Sequence, residues 1–316
     1  MKYRKSITSI IPILISVSCL YVFYVKVDDF SNFFNEIGTA NYSYVLLATI
    51  FLCVTVWLRA IRWGGLLGGD NRIYGLFKIQ MIGYFSNNIL PFRAGELLKS
   101  FLISKQNNIS KSYALGTVIM ERFLDMLMLL MMTIICIFIS PISNIEEFSI
   151  YYLLFIVLGI IGVFLFFYMI ISRDLVKINI VRPFLDQFIL TYKNLKFGQL
   201  LYLSLYGCAI WFIYWINVVL IFKAFNIPVE PYESLLILVV ASIINSVPSL
   251  PGAIGTFHLG VELTLRAFNI MGNEFSIYPF TTVLHLYGYI SLTVIGMFYF
   301  IVDKSVGFGK FLKFKR

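Results

Sequence analysis

Residues 118–130 read VIMERFLDMLMLL and set Glu121, Arg122 and Asp125 well inside an apolar run. Glu121 and Asp125 are four apart, so a helix puts both carboxylates on one face. Arg122 lies three before Asp125 and can neutralise it. A charged side chain at the centre of a membrane helix costs about 2.5–3.5 kcal/mol on insertion scales, so three in five residues must face a polar interior. The chemistry this allows is a lipid-headgroup, ion or proton site. The alternative is an ion-pair cluster that holds helices together, with Arg93 or Lys99 as partner.

Two further stretches combine helix breakers with polar groups. Residues 86–100 read SNNILPFRAGELLKS. Asn87 and Asn88 precede the break, Pro91 and Gly95 make it, and Arg93, Glu96 and Lys99 follow on a fresh helix whose three-residue spacings let them pair. A helix N-terminus next to an arginine suits a phosphate or carboxylate, through free N–H groups and a bidentate fork. The alternative is an interfacial loop with a snorkelling arginine and a solvated lysine. Residues 245–262 read NSVPSLPGAIGTFHLGVE. Pro248, Pro251, Gly252 and Gly255 forbid a continuous helix, and a new one is expected from Thr256, with that residue as its cap. His258 and Glu262 then share a face, either as a buried hydrogen-bonded histidine or as a protonatable group in a substrate cavity. The other histidine, His285, stands alone in the last apolar run, so no metal site is expected.

The elements that must carry these residues are membrane helices. Only 13% of the 316 residues are charged, about half the ~25% of a soluble domain, and the mean hydropathy is +0.86. Long apolar segments cover 7–25, 43–61, 113–140, 149–172, 198–222 and 279–302, each near the ~20 residues that cross a bilayer. Stretches 73–104 and 232–270 are apolar but broken, and backbone freed inside a membrane must be buried in protein or line a polar cavity. The predicted fold is therefore an all-α integral membrane protein, about six transmembrane helices plus two re-entrant hairpins, in a single polytopic domain over 1–316. The net charge of +9 comes from basic residues flanking apolar runs, which argues against nucleic-acid binding. Cys19, Cys53, Cys136 and Cys208 all fall in apolar runs and read as buried thiols. The N-terminal run has no small-residue cleavage site after it and reads as an uncleaved first helix. No nucleophile elbow, Walker loop, dinucleotide fingerprint or metal-ligand cluster occurs, so no catalytic residue and no cofactor are assigned.

Loop charge orients the chain. With the N-terminus inside, the inner segments hold Arg59, Arg62, Arg72, Lys78, Arg93, Lys99, Lys105 and Lys111, then Arg173 to Lys196, then the basic tail. The outer segments are mostly acidic, from Asp28 and Asp29 to Glu230, Glu233 and Glu274. Both termini are expected on the cytoplasmic side of the cytoplasmic membrane. One hairpin then dips from each side, and opposed broken helices are a recurring transporter design.

These three constellations, in this order, resemble the lysylphosphatidylglycerol synthase/flippase transmembrane family, which includes the membrane half of the bacterial multiple peptide resistance factor. The resemblance rests on Pro91, Arg93, Gly95 and Glu96; on Glu121, Arg122 and Asp125; and on Pro248, Pro251, Gly252 and Gly255. The chain departs from the pattern at Lys99, Ala253 and His258, where arginine, glycine and a nearby acidic residue are common. The resemblance implies a flippase-like protein that translocates or handles a phospholipid, aminoacyl-lipid or glycolipid. Its headgroup contacts would be drawn from Asn88, Arg93, Glu96, Lys99, Glu121, Arg122, Asp125, His258 and Glu262. The chain ends at Arg316, soon after its last span, so the family's soluble synthase domain is expected to be absent. Two alternatives stand beside this reading: a phosphatidylglycerol lysyltransferase or its membrane component, and an accessory protein of an envelope glycolipid or polysaccharide pathway. Membrane lipids are the expected partners, with a glycosyltransferase or lipid-modifying enzyme in the accessory case; oligomeric state is not assigned.

Overall fold

The computed structural model describes residues 17–25, 27, 29–69, 71–90, 94–140, 186, 195–246, 251–271 and 274–303. Among these, residues 17–25 are helical and nine longer helices follow: α1 Phe30–Thr39, α2 Tyr42–Leu67, α3 Ile73–Ile89, α4 Gly95–Asn107, α5 Lys111–Ile139, α6 Phe197–Ala224, α7 Pro231–Ser246, α8 Thr256–Ala267 and α9 Glu274–Val302. No strand occurs among the described residues.

Local chemistry sets the helix ends. Asp29 caps α1 by accepting from the backbone N–H groups of Ser31 and Asn32, and Asn41 and Ser110 cap α2 and α5 in the same way. Pro231 opens α7, where its missing N–H costs nothing. Four helices are long and apolar enough to cross a membrane: Tyr42–Leu67, Lys111–Ile139, Phe197–Ala224 and Ile277–Val302. They match four of the six expected segments. Of the other two, 7–25 is described only from residue 17, and 149–172 lies outside the described residues. Exposed apolar side chains along these helices, Leu46, Ile50 and Phe298 among them, supply the greasy exterior that a bilayer requires.

Both broken stretches are helix pairs. The first is α3 packed against α4, and the second is α7 packed against α8. Gly95 shows why the first pair closes so tightly. A Cβ there would collide with the Gly83 carbonyl and the Asn87 side chain, so only glycine lets α4 approach α3. In the second pair the described residues ahead of α8 include a 3-10 turn, Pro251–Ala253, with Gly252 at φ 72°. A Cβ on Gly252 would run into the Tyr289 ring. Thr256 is not the cap of α8. Gly255, at φ 89°, holds that position, and Thr256 is the first helical residue, its hydroxyl donating to the Ala253 carbonyl. Pro91 and Pro248, expected to make the breaks, lie outside the described residues.

Two apolar cores form. One gathers α2, α3, α4 and the first half of α5 around Trp63, Ile82, Ile103 and Met120. The other gathers α6 to α9 and the second half of α5 around Met128, Ile221, Phe222, Val261 and Phe280. Glu121, Arg122 and Asp125 of α5 fall at the boundary between them.

Candidate functional site

Glu121 and Asp125 are both buried, Glu121 completely. Asp125 accepts from Arg59 Nη1 at 2.7 Å through Oδ2 and from Arg62 Nη2 at 2.7 Å through Oδ1. Glu121 accepts from Gln80 Nε2 at 3.2 Å, from Arg59 at 3.4 Å and from the Lys99 ammonium. Lys99 also stands over the Trp63 ring at 4.3 Å, and the Trp63 indole donates to Thr117. Arg59 Nε donates to the Tyr214 hydroxyl at 3.0 Å. Four helices thus meet at two carboxylates, and Tyr214 of a fifth holds Arg59. Charges taken out of water survive only when paired and hydrogen-bonded in this manner.

Toward α4 the network opens. The Arg122 side chain is 36% exposed and Glu96 is 21% exposed, and they meet at 3.5 Å. Arg122 also reaches Asp125 at 3.5 Å, the three-residue pair that the spacing predicts. Asn87 donates to Glu96 Oε1 at 3.4 Å. Arg122 Nε, Glu96 Oε2 and Asn87 Oδ1 are buried atoms with no hydrogen-bond partner among the described residues. Among the described residues, four cations (Arg59, Arg62, Lys99, Arg122) face three carboxylates (Glu96, Glu121, Asp125), one positive charge more than negative.

Several expectations change here. Lys99 turns to Glu121 on α5, and Glu96 pairs with Arg122 on the same helix, so the i,i+3 pair along α4 is replaced by two cross-helix pairs. Arg59, Arg62 and Lys99, counted as cytoplasmic-side loop charges, are buried ion-pair partners. For Arg59 and Arg62 a signal was present: they continue the buried face of Leu52, Thr55 and Val56 at helical spacing. Gln80 and Tyr214 carried no such signal, because a lone amide or phenol in an apolar run reads equally as packing. Arg93 lies outside the described residues.

The second hairpin carries a different set. His258 and His285 are buried, with ring centroids 4.9 Å apart. His285 therefore does not stand alone; its Nε2 also lies 2.7 Å from the Gly252 carbonyl. Phe23 and Phe257 flank the imidazoles and Tyr289 stacks on His285. Glu262, although four residues from His258, bonds to Arg266 Nε at 3.0 Å, and the Tyr278 hydroxyl donates to it at 3.4 Å. Among the described residues no three His, Cys, Asp or Glu side chains gather as a metal site would need. Asn88 joins the two regions, since its Nδ2 donates to the Tyr289 carbonyl at 3.3 Å and to Thr293 Oγ1 at 2.9 Å.

A helical membrane protein with two broken helix pairs and a buried ion network is the class that fold and site define. Residues 9–296 match the family model described as the lysylphosphatidylglycerol synthase TM region, and the chain belongs to that family. It is similar to the UPF0104 membrane protein MJ1078 of Methanocaldococcus jannaschii, 24% identical over 230 residues, which cover 70% of this chain and 96% of the relative. A UPF0104 membrane protein of Methanothermobacter thermautotrophicus is 22% identical over 77% of this chain and 78% of its own length. The UPF0104 membrane protein PH1989 of Pyrococcus horikoshii is 35% identical over 94 residues, 28% of each chain. No solved structure matches the chain.

Proposed function

We propose that this protein moves or handles a lipid in the cytoplasmic membrane, with the polar headgroup held at the open edge of the ion network. The observation that carries the reading is the Arg122–Glu96 pair. It is the partly exposed end of an otherwise buried network, beside the break between α3 and α4, and it leaves Arg122 Nε and Glu96 Oε2 without partners. An arginine in that position suits a phosphate, which it grips with two parallel N–H donors. Deeper in, Glu121 and Asp125 are fully engaged by Arg59, Arg62 and Lys99. Their role in this reading is to fix α5 against α2 and α4, so that Arg122 is held at the edge. Asn88, His258 and Glu262 belong to the second hairpin's wall and its tie to α3. Both termini face the cytoplasm in this reading, and the basic segments that remain interfacial support that orientation.

The test is reconstitution of the full chain into vesicles with headgroup-labelled lipids added to one leaflet. Transfer between leaflets above protein-free vesicles is expected, with loss of transfer in Arg122→Ala. Folded protein that moves no phospholipid, aminoacyl-lipid or glycolipid sinks the reading. Close association with a glycosyltransferase or lipid-modifying enzyme, without transfer, would favour the accessory role instead.

A further inference from the structure

Contact lengths divide the ion network into a closed part and an open part. Asp125 holds Arg59 and Arg62 at 2.7 Å each, the length of a fully formed charge-assisted hydrogen bond. Among the described residues, neither Arg122 nor Glu96 has a polar contact that short. Arg122 stands 3.5 Å from Glu96, 3.5 Å from Asp125 and 3.9 Å from Glu121. Glu96 has one hydrogen-bond donor, the Asn87 amide at 3.4 Å. Arg122 Nε, Glu96 Oε2 and Asn87 Oδ1 keep unused capacity, one donor and two acceptors. Buried polar groups left this way normally meet a ligand or a water. Arg122 and Glu96 are also the most exposed charged side chains of the network. A cation and an anion thus stand side by side at the edge, both under-bonded.

A ligand with a single charge cannot use such a pair well. An anion at Arg122 meets the Glu96 carboxylate, and a cation at Glu96 meets the Arg122 guanidinium. Each gains one attraction against one repulsion at nearly the same distance. A ligand with both charges, laid antiparallel to the pair, gains two attractions. The deeper charges leave this balance in place, because Arg59 and Arg62 share Asp125 and Lys99 closes on Glu121. Spacing then sets the ligand. The pair spans 3.5 Å from nitrogen to oxygen, so the ligand's two charges must be equally close, as on a phosphate and an ammonium joined by two carbons. We infer that the Arg122–Glu96 pair binds a zwitterionic headgroup of the ethanolamine phosphate type, with the phosphate on Arg122 and the ammonium on Glu96 and the side-chain oxygen of Asn87. This rests on the headgroup reading of the Arg122 edge given above. A primary ammonium brings three N–H donors and no acceptor, which suits the two unused acceptors, Glu96 Oε2 and Asn87 Oδ1.

The test measures binding of short-chain lipids to the detergent-solubilised full chain by native mass spectrometry. Phosphatidylethanolamine is expected to bind at least about tenfold tighter than phosphatidylglycerol, which has the phosphate without the ammonium. Equal or tighter binding of phosphatidylglycerol overturns the inference and leaves the headgroup reading of Arg122 standing. Phosphatidylcholine carries the same two charges but no N–H, and is expected to bind about three- to tenfold more weakly than phosphatidylethanolamine. Equal binding of the two overturns the hydrogen bonds assigned to Glu96 and Asn87. Glu96→Gln keeps the side chain's size and removes its charge. The preference for phosphatidylethanolamine over phosphatidylglycerol is expected to fall at least about tenfold in that variant. The ratio is taken within one folded protein, so a general loss of binding does not imitate the effect, and an unchanged ratio overturns the role of Glu96. If Glu96→Gln does not fold, the ratio in the natural chain still decides. Glycerophosphoethanolamine, the same headgroup without chains, is expected to bind at least about tenfold more weakly than the lipid. If it binds as tightly, the lipid reading fails while the zwitterion selection stands. If no phosphate-bearing probe binds, both fail.

Discussion

Asn88, at the end of α3, donates to the backbone carbonyl of Tyr289 on α9, and the Tyr289 ring covers the Gly252 position where a Cβ would collide. One residue of the last helix is thus in contact with the breaks of both hairpins. Asn88→Ala removes two good hydrogen bonds and is expected to lower stability by about 1–3 kcal/mol. Tyr289→Phe removes only the long 3.5 Å contact from its hydroxyl to the Asn88 carbonyl and is expected to cost under about 0.5 kcal/mol. Thermal unfolding of the solubilised protein distinguishes the two.

Glu121 has three cationic neighbours in the interior, Lys99, Arg59 and Arg62. Glu121→Ala strands Lys99 and leaves Arg59 and Arg62 to Asp125 alone, and a loss of about 3–5 kcal/mol is expected, seen as reduced folded yield. Lys99→Met alone is expected to behave similarly. The combination with Glu121→Gln is expected to recover part of the loss, with a coupling of about 0.5–3 kcal/mol in a double-mutant cycle. Additive single effects would show that the Lys99 contact contributes nothing of its own.

Arg122 should separate activity from stability. Its ion pairs are long and partly exposed, so Arg122→Ala is expected to change stability by no more than about 1 kcal/mol. Lipid transfer in vesicles is expected to fall at least about tenfold, because the phosphate loses its charged donor. Arg122→Lys keeps the charge without the fork and should fall between the two.

Gly95→Ala tests the closeness of the first hairpin. The added methyl meets the Gly83 carbonyl, a backbone atom that cannot rotate away. A cost of about 1–3 kcal/mol is expected, with α4 displaced from α3. Disulfide crosslinking between introduced cysteines on the two helices would report the displacement.

Ala253 is left-handed at φ 56°, a conformation that costs an L-residue about 1–2 kcal/mol. Ala253→Gly relieves that strain but loosens the unfolded chain by about 0.4–1 kcal/mol. A small net gain, about 0.5–1 kcal/mol, is expected as a raised melting temperature.

Much of the architecture was legible in the sequence because membrane insertion imposes long apolar runs, and both broken stretches were marked by glycine, proline and asparagine. The site was legible only in part. Glu121 and Asp125 stood out because charge in an apolar run demands a partner, but the partners come from Arg59 and Arg62, more than sixty positions upstream. Those arginines lie near the end of α2, where sequence alone makes them look interfacial. For Lys99 the sequence left two partners open, Glu96 by spacing on its own helix and the carboxylates of α5, and tertiary packing gave it Glu121. His285 looked isolated because its neighbour, His258, is on another helix. In each case the deciding contact is between helices, and helical periodicity speaks only to one helix at a time.

The Lys99 ammonium over the Trp63 ring has a practical consequence. Trp63 is one of four tryptophans and is fully enclosed, with a cation 4.3 Å from its ring. A nearby positive charge shifts indole emission, so the chain contains its own optical probe at the heart of the ionic cluster. With Trp57, Trp211 and Trp215 replaced by phenylalanine, ligand arrival at Arg122 would be followed through the colour of a single buried fluorophore, with no dye attached.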